Sequence, residues 1–341
     1  MRYFAWLGVL NVLLTACSAA QPAAPTAPAP EVRGVASSPI SQADTTSLVA
    51  FVVNQNSDDV VAIDLDARVV IGRAPTGRNP HEIVGSPDGA RLFTSDQQGN
   101  TISVFDAATL QLVGRWAGGA APHGVEMTAD GRYLLVTNEP RAEVLVLDAA
   151  TGEIVGRLAA ALGAHVIHRS ADGARAYVTN TSGSLTVLDL VGMSTLKTID
   201  MGSGAEGLGV SPDGRWVYVA NRGVDDVWVV DTERLEVADR IAVHHEPIRI
   251  VFSPDSTIAY VSQIAGDRIL AIDTASRTIV GSYTAGNGPI GMAVSRDGRY
   301  LYAANIFSGD LSVINTVTGA TEAQLPAGDG PDGMVLLKRP N

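Results

Sequence analysis

Short runs of alternating apolar and polar residues fill most of the chain after residue 46, and tight-turn sequences separate them. Stretches such as RLFTSD (91–96), YLLVTN (133–138) and RAYVTN (175–180) are rich in β-branched, aromatic and aliphatic residues, which is typical of half-buried strands. Each stretch follows a turn sequence such as SPDG (86–89), in which Asp and Gly favour a tight link between strands. The pattern therefore predicts an all-β chain.

The turn sequence recurs at a nearly constant spacing, which marks an internal repeat. Its aspartates are separated by 42, 42, 41, 42 and 42 residues, and they are Asp88, Asp130, Asp172, Asp213, Asp255 and Asp297. Each unit has room for four short strands, the composition of a propeller blade. A seventh copy, FVVN at 51–54, lacks the preceding strand, and GPDGMVLL at 330–337 aligns with that missing strand. We predict a seven-bladed β-propeller of four-stranded blades, closed by a C-terminal inner strand that completes the N-terminal blade.

The repeat resembles the YVTN family of β-propeller repeats over residues 47–338, and AYVTN (176–180) and LLVTN (134–138) carry the resemblance most closely. The resemblance implies the propeller fold. It says little about function, because such propellers include binding proteins, surface proteins and relatives of enzymes.

The N-terminus resembles a bacterial lipoprotein signal. Arg2 precedes the apolar run Phe4 to Leu14, and LTAC (14–17) ends in Cys17, the single cysteine of the chain. We expect residues 1–16 to be a signal peptide and Cys17 to be lipidated. Residues 17–46 are expected to form an Ala/Pro/Ser-rich tether, and residues 47–341 the propeller. The protein is then exported to the bacterial cell envelope, on its periplasmic or surface side, and meets the membrane through its lipid anchor only.

The net charge of −12 and the pI of about 4.9 disfavour nucleic acid as a partner, because a phosphate backbone would be repelled. The sequence also lacks a C-x-x-C-H motif, which excludes covalent c-type haem. We expect a monomer, with an envelope protein as a candidate partner.

All 6 histidines of the chain fall within eight columns of the 42-residue repeat, in the loop before the inner strand or in that strand itself. The position after the proline column should face the mouth of the central channel, and around the ring it carries five adjacent polar residues and two isoleucines. These are Asp332, His81, His123, His165 and Glu206, followed by Ile248 and Ile290.

Three histidines beside two carboxylates are typical of a zinc or copper site, because imidazole and carboxylate are common ligands of both ions. We predict His81, His123 and His165 as ligands, with Glu206 or Asp332 as a fourth. A second set of residues is expected in the surrounding shell or the channel wall: Glu82, Glu126, His168, Arg249, His244 and His245.

Other functions remain open. Repeats copy their ancestral residues, so the histidines are equally consistent with a structural role in an inert channel, with the propeller acting as a protein-interaction scaffold. Seven-bladed lactonases use the same end of the channel, and some YVTN-like relatives handle haem, so a metal-assisted hydrolase or a haem-handling propeller are alternatives. No nucleophile turn such as G-x-S-x-G is present, which favours a binding protein over an enzyme.

Overall fold

The computed structural model describes residues 47–338, and almost every residue in this range lies in a strand or in a short connection between strands. Within the range there is no α-helix, and one 3₁₀ helix covers Glu139–Arg141. No helix among the described residues is long and apolar enough to cross a membrane. The predicted signal peptide, the tether and Cys17 lie outside the described residues.

The strands follow one another at regular intervals. In chain order they are β1 Leu48–Asn54, β2 Asp59–Asp64, β3 Val69–Pro75, β4 Pro80–Gly85, β5 Arg91–Asp96, β6 Thr101–Asp106, β7 Leu112–Ala117, β8 Pro122–Met127, β9 Tyr133–Asn138, β10 Glu143–Asp148, β11 Ile154–Ala159, β12 Ala164–Arg169, β13 Arg175–Asn180, β14 Ser184–Asp189, β15 Ser194–Asp200, β16 Ala205–Val210, β17 Trp216–Asn221, β18 Asp226–Asp231, β19 Glu236–Ala242, β20 Pro247–Phe252, β21 Ile258–Gln263, β22 Arg268–Asp273, β23 Thr278–Thr284, β24 Pro289–Val294, β25 Tyr300–Asn305, β26 Asp310–Asn315, β27 Thr321–Pro326 and β28 Pro331–Lys338.

Seven four-stranded antiparallel sheets are present, and each is one blade. Six of them use four consecutive strands, starting with β4–β7 and ending with β24–β27. The remaining sheet has the order β28-β1-β2-β3, so the C-terminal strand is the inner strand of the N-terminal blade. Neighbouring inner strands contact each other around the whole ring, including β28 with β4. The predicted seven-bladed propeller and its closure are confirmed.

The hydrophobic core lies between the blades. One cluster joins Val49 and Phe51 of the first blade to Leu92 and Phe105 of the second, and all four are almost fully buried. Because each blade buries one face against the next, removal of any blade exposes two apolar faces.

The two ends of the propeller differ because consecutive strands of a blade run in opposite directions. The SPDG-like turns lie together at one end, where the Asp213 N–H donates to the Ser256 hydroxyl of the next blade at 3.0 Å. Each turn is held by its own side chains: the Ser86 hydroxyl donates to the Asp88 carboxylate at 2.5 Å, and Gly89 takes a φ of 72°. The inner strands begin at the opposite end, which we call the channel mouth.

Closure by β28 is expected to be essential for the fold. A chain that stops after Gly330 lacks β28, leaves one edge of β1 without a partner strand and opens the ring between β24 and β4. We expect this variant to lose the cooperative thermal transition in circular dichroism and to aggregate in size-exclusion chromatography. A chain that stops after Lys338 keeps β28 and is the control. A sharp wild-type-like transition in the shorter variant would contradict the prediction.

Candidate metal centre at the channel mouth

A repeated bulge at the start of the inner strands turns the mouth residues out of the ladder. In the second blade Pro80 pairs with Asp96 and Ile83 with Thr94, so His81 and Glu82 together oppose Ser95. The same irregularity occurs at the start of β8, β12, β16, β20 and β24. The bulge explains why the residue after the proline points toward the channel and not along the face of the blade.

The Ser or Thr of the YVTN-like block then ties neighbouring inner strands together. Thr137 accepts the Gly124 N–H at 2.7 Å and donates to the carbonyl of His165, in the next blade, at 2.6 Å. Thr179 likewise donates to the carbonyl of Glu206 at 2.7 Å, and Ser95 donates to that of His123. These hydroxyl bridges hold consecutive residues of the predicted column next to each other.

The structure brings together the five polar residues of that column, which we call the histidine arc: Asp332, His81, His123, His165 and Glu206. The ring centroids of His81 and His123 are 4.5 Å apart, and those of His123 and His165 are 3.6 Å apart in a stacked arrangement. His81 Nδ1 lies 3.1 Å from Asp332 Oδ2, and His165 Nε2 lies 4.0 Å from Glu206 Oε1. The two isoleucines of the column pack on the other side of the mouth.

Among the described residues, one group at the arc has ligand atoms close enough together that it could hold a metal ion, and it includes a residue that could not be identified from the repeat alone. The ligand atoms of His123, His165 and Glu139 all lie within 4.8 Å of one another. Glu139 opens the 3₁₀ helix that follows β9, and its Oε1 lies 3.5 Å from His165 Nε2. Glu206 and Asp332, the carboxylates proposed from the sequence as the fourth ligand, are not part of this group.

Glu139 belongs to a second column, formed by the residue after the polar end of each YVTN-like block. The column is polar in the five blades that contribute residues to the arc, and it is apolar in the two blades that carry Ile248 and Ile290. Around the ring it reads Gln55, Gln97, Glu139, Thr181, Arg222, Ile264 and Ile306. Ile264 and Ile306 pack with Ile248 and Ile290, and the Gln97 amide donates to Glu139 at 3.4 Å. The matched polarity of the two columns is the signal that could have identified Glu139.

The three histidines of the arc differ in how free their nitrogen atoms are. His165 Nδ1 donates to the Glu206 carbonyl at 3.1 Å, and since a carbonyl only accepts, Nε2 carries the lone pair and faces Glu139. His81 has Asp332 at one nitrogen and the Asn79 side-chain oxygen 3.1 Å from the other. His123 Nδ1 is buried without a hydrogen-bond partner in the described structure. His123 and His165 are therefore available as ligands, whereas His81 is held by its neighbours.

Burial shapes the ionisation of the group. Desolvation, aided by Arg249, lowers the pKa of His165 to about 3, and desolvation with the neighbouring histidines holds the pKa of His123 well below its usual value. Both rings are thus neutral, the form that binds metals. Burial raises the pKa of Glu139, with Glu206 acting in the same direction. Burial alone would raise the pKa of Asp332, but the His81 hydrogen bond and the Arg249 charge hold it below its ordinary value.

Beneath the arc, an ion pair spans the channel. Arg249 Nη2 lies 2.6 Å from Glu82 Oε1 and 3.8 Å from Asp332 Oδ1, and Arg249 is only 7% exposed. Burial lowers the pKa of Arg249 on its own, but the charges of Glu82, Asp332 and Glu206 raise it overall. Three carboxyl groups (Glu82, Asp332 and Glu206) act on one guanidinium, and Glu139 beside His165 adds a fourth at the mouth, so the mouth favours a further cation.

The other residues proposed for the channel wall lie farther from the triad. His168 is in the inner strand β12, half-exposed, with Nδ1 3.5 Å from Glu126 Oε2. His244 and His245 are exposed in the loop before β20, with left-handed φ values of 61° and 55°. Within residues 47–338 no ring contact or hydrogen bond joins either of them to the arc, so the structure does not bring them to the site.

The sequence pattern of the YNCE-like beta-propeller matches residues 29–211, which is more than half of the 341-residue chain. The chain belongs to the YNCE-like beta-propeller family. The pattern of the 7-bladed beta-propeller lactonases also matches, over residues 165–280. The two matches together agree with the β-propeller family expected from the repeat. No curated protein sequence shows a significant match.

Several solved structures share the fold of this family member at low sequence identity. A chain of the hydrazine synthase of Kuenenia stuttgartiensis is 22% identical with a TM-score of 0.66, over 74% of this chain and 88% of that chain. A functionally unknown protein from Desulfotomaculum acetoxidans is 15% identical with a TM-score of 0.74, over 86% and 99%. The dihydro-heme d1 dehydrogenase NirN, in complex with DHE, is 20% identical with a TM-score of 0.66, over 88% and 77%. At these identities the likeness extends to the fold alone.

Proposed function

We propose that the protein is an extracytoplasmic, lipid-anchored binding protein that holds one zinc or copper ion at the channel mouth, with His123, His165 and Glu139 as ligands. The observation that carries the proposal is the His165–Glu139 contact. A lone pair on His165 Nε2 and a carboxylate oxygen face each other at 3.5 Å, and a cation between them relieves their repulsion. Two imidazoles and a carboxylate, with no sulfur, suit Zn²⁺ or Cu²⁺.

The surroundings support the same ion. His123 Nδ1 has no protein partner in the described part of the chain, and the excess of carboxyl groups over guanidinium at the mouth favours a divalent cation over an anion. Three ligands also leave a coordination position open, which suits a carrier that releases its ion to an envelope partner. Export and lipid anchoring rest on the N-terminal sequence and on Cys17.

Metal content of the untagged full-length protein tests the proposal. Elemental mass spectrometry is applied before chelation, after chelation and after separate reloading with zinc, copper or magnesium. We expect about one zinc or copper per chain and no retained magnesium, in accord with the N/O ligand set. Retention of no transition metal, either as purified or after reloading, would contradict the proposal. The inert-channel scaffold would then be the better description.

A second candidate is a metal-assisted hydrolase. It is favoured by the lactonase pattern over residues 165–280, which includes His165, and by Glu206, whose carboxylate lies beside the same ring as a candidate base. Turnover of lactones by the zinc-loaded protein, lost on chelation, would support it.

A haem-handling role, raised by the sequence, predicts a haem difference spectrum on titration with haem.

A further inference from the structure

The layer of the channel directly beneath the histidine arc is almost closed to side chains. It is formed by the second residue after the proline position of each repeat. The position is Gly in four blades, where an added Cβ would contact the backbone of the next inner strand, and the four are Gly124, Gly207, Gly291 and Gly333. Among the other three blades, one carries Val166, and the remaining two carry the oppositely charged Glu82 and Arg249.

Arg249 is fixed in this layer. Its backbone N–H donates to the Ser262 hydroxyl at 3.1 Å, and Nη2 donates to Glu82 Oε1 at 2.6 Å. The second guanidinium nitrogen, Nη1, is buried and has no hydrogen-bond partner in the described structure. A charged group therefore lies under the arc, with Nη2 3.8 Å from Oδ1 of Asp332, which is itself a member of the arc.

We infer that Arg249 is a built-in cation that limits how tightly the channel mouth holds its metal ion, with Glu82 acting in the opposite direction. This inference rests on the proposed metal site. The guanidinium neutralises part of the negative charge that Glu82 and Asp332 would otherwise contribute to the site. It also repels a divalent ion bound above it. Its fixed charge keeps binding weak enough for release through the mouth.

The test is the zinc affinity of three full-length variants, measured by competition with a chelator of known affinity at constant ionic strength and neutral pH. Arg249→Gln keeps donors for Glu82 but removes the charge, and it is expected to bind zinc about tenfold more tightly. Arg249→Lys keeps the charge and is expected to stay within about threefold of wild type. Glu82→Gln leaves Arg249 less compensated and is expected to bind about tenfold more weakly.

Shifts of opposite sign separate this role from a structural one. If the ion pair only holds the channel together, loss of either member weakens zinc binding, and that result would overturn the inference. Thermal unfolding of each variant checks its fold. If Arg249→Gln does not fold, the double variant Glu82→Gln, Arg249→Gln replaces it. The double variant is expected to be within about threefold of wild type, and affinity as weak as that of Glu82→Gln would overturn the inference. A wild-type protein that binds neither zinc nor copper refutes the proposed function, and with it this inference.

Discussion

Replacing His123 with alanine is expected to lower the zinc affinity of the protein by about 100-fold or more, beyond the loss typical of a supporting residue. The Nδ1 atom of His123 is buried with no hydrogen-bond partner in the described structure, and the residue is 2% exposed. Its lone pair is therefore committed to no protein group. Glu139→Gln, which removes the only carboxylate of the triad, is expected to have an effect of similar size.

Matched variants distinguish ligands from neighbours. His81→Ala is expected to lower zinc affinity by about tenfold or less, because His81 already has Asp332 and Asn79 as partners and acts at most as support. His244→Ala changes an exposed loop histidine outside the arc and is expected to have no effect. Isothermal titration with zinc measures all four variants. Equal losses in His81→Ala and His123→Ala would contradict the assignment of ligands made from the structure.

The fold could be predicted almost completely from the sequence because each blade repeats the same short sequence patterns. The turn at Ser86, the strand after it and the closing segment GPDGMVLL are each short-range patterns that recur at one spacing. A ring of seven such units then has one way to pair its first and last strands. The residues that lie next to His81 and His123 around the propeller could therefore be predicted from the repeat spacing alone.

The candidate site could be predicted only in part. Aligning the repeats shows which positions correspond, but it does not show where their side chains point. It treats His81, His123 and His165 as equivalent, whereas their hydrogen bonds separate them. Glu139 was missed since it follows a different strand and reaches the mouth through the 3₁₀ helix. His244 shares the histidine-rich part of the repeat but lies in an exposed loop. Glu82 and Arg249, in contrast, share a column of the repeat, and the structure pairs them across the channel.

A second prediction concerns the last residue of the strand that carries the YVTN-like block, where one blade differs from the others. In six blades this residue has a buried amide side chain. Asn138 is an example, and its amide donates to the Gly118 carbonyl at 2.9 Å. The second blade has Asp96 instead. The corresponding carbonyl, that of Thr76, accepts a hydrogen bond from Arg115 at 2.6 Å. Asp96 is fully buried, and its carboxylate accepts from three hydroxyls, those of Thr94, Thr101 and Ser103, at 2.7 to 2.9 Å.

Burial raises the pKa of Asp96 to about 6 in spite of these hydroxyls. The folded chain therefore binds this proton more tightly than the unfolded chain, so its stability falls as the pH rises from about 4 to about 6 and stays lower above that range, by about 3 kcal/mol. Asp96→Asn removes the penalty. Urea unfolding is expected to show a gain of about 1 to 3 kcal/mol at pH 8 and little gain at pH 4. Asp88→Asn is the matched control of opposite sign, because the Ser86 hydroxyl lowers the pKa of Asp88 and the charged form is the one that the turn stabilises. A gain from Asp96→Asn that is the same at both pH values would show that the carboxyl is not buried in its charged form.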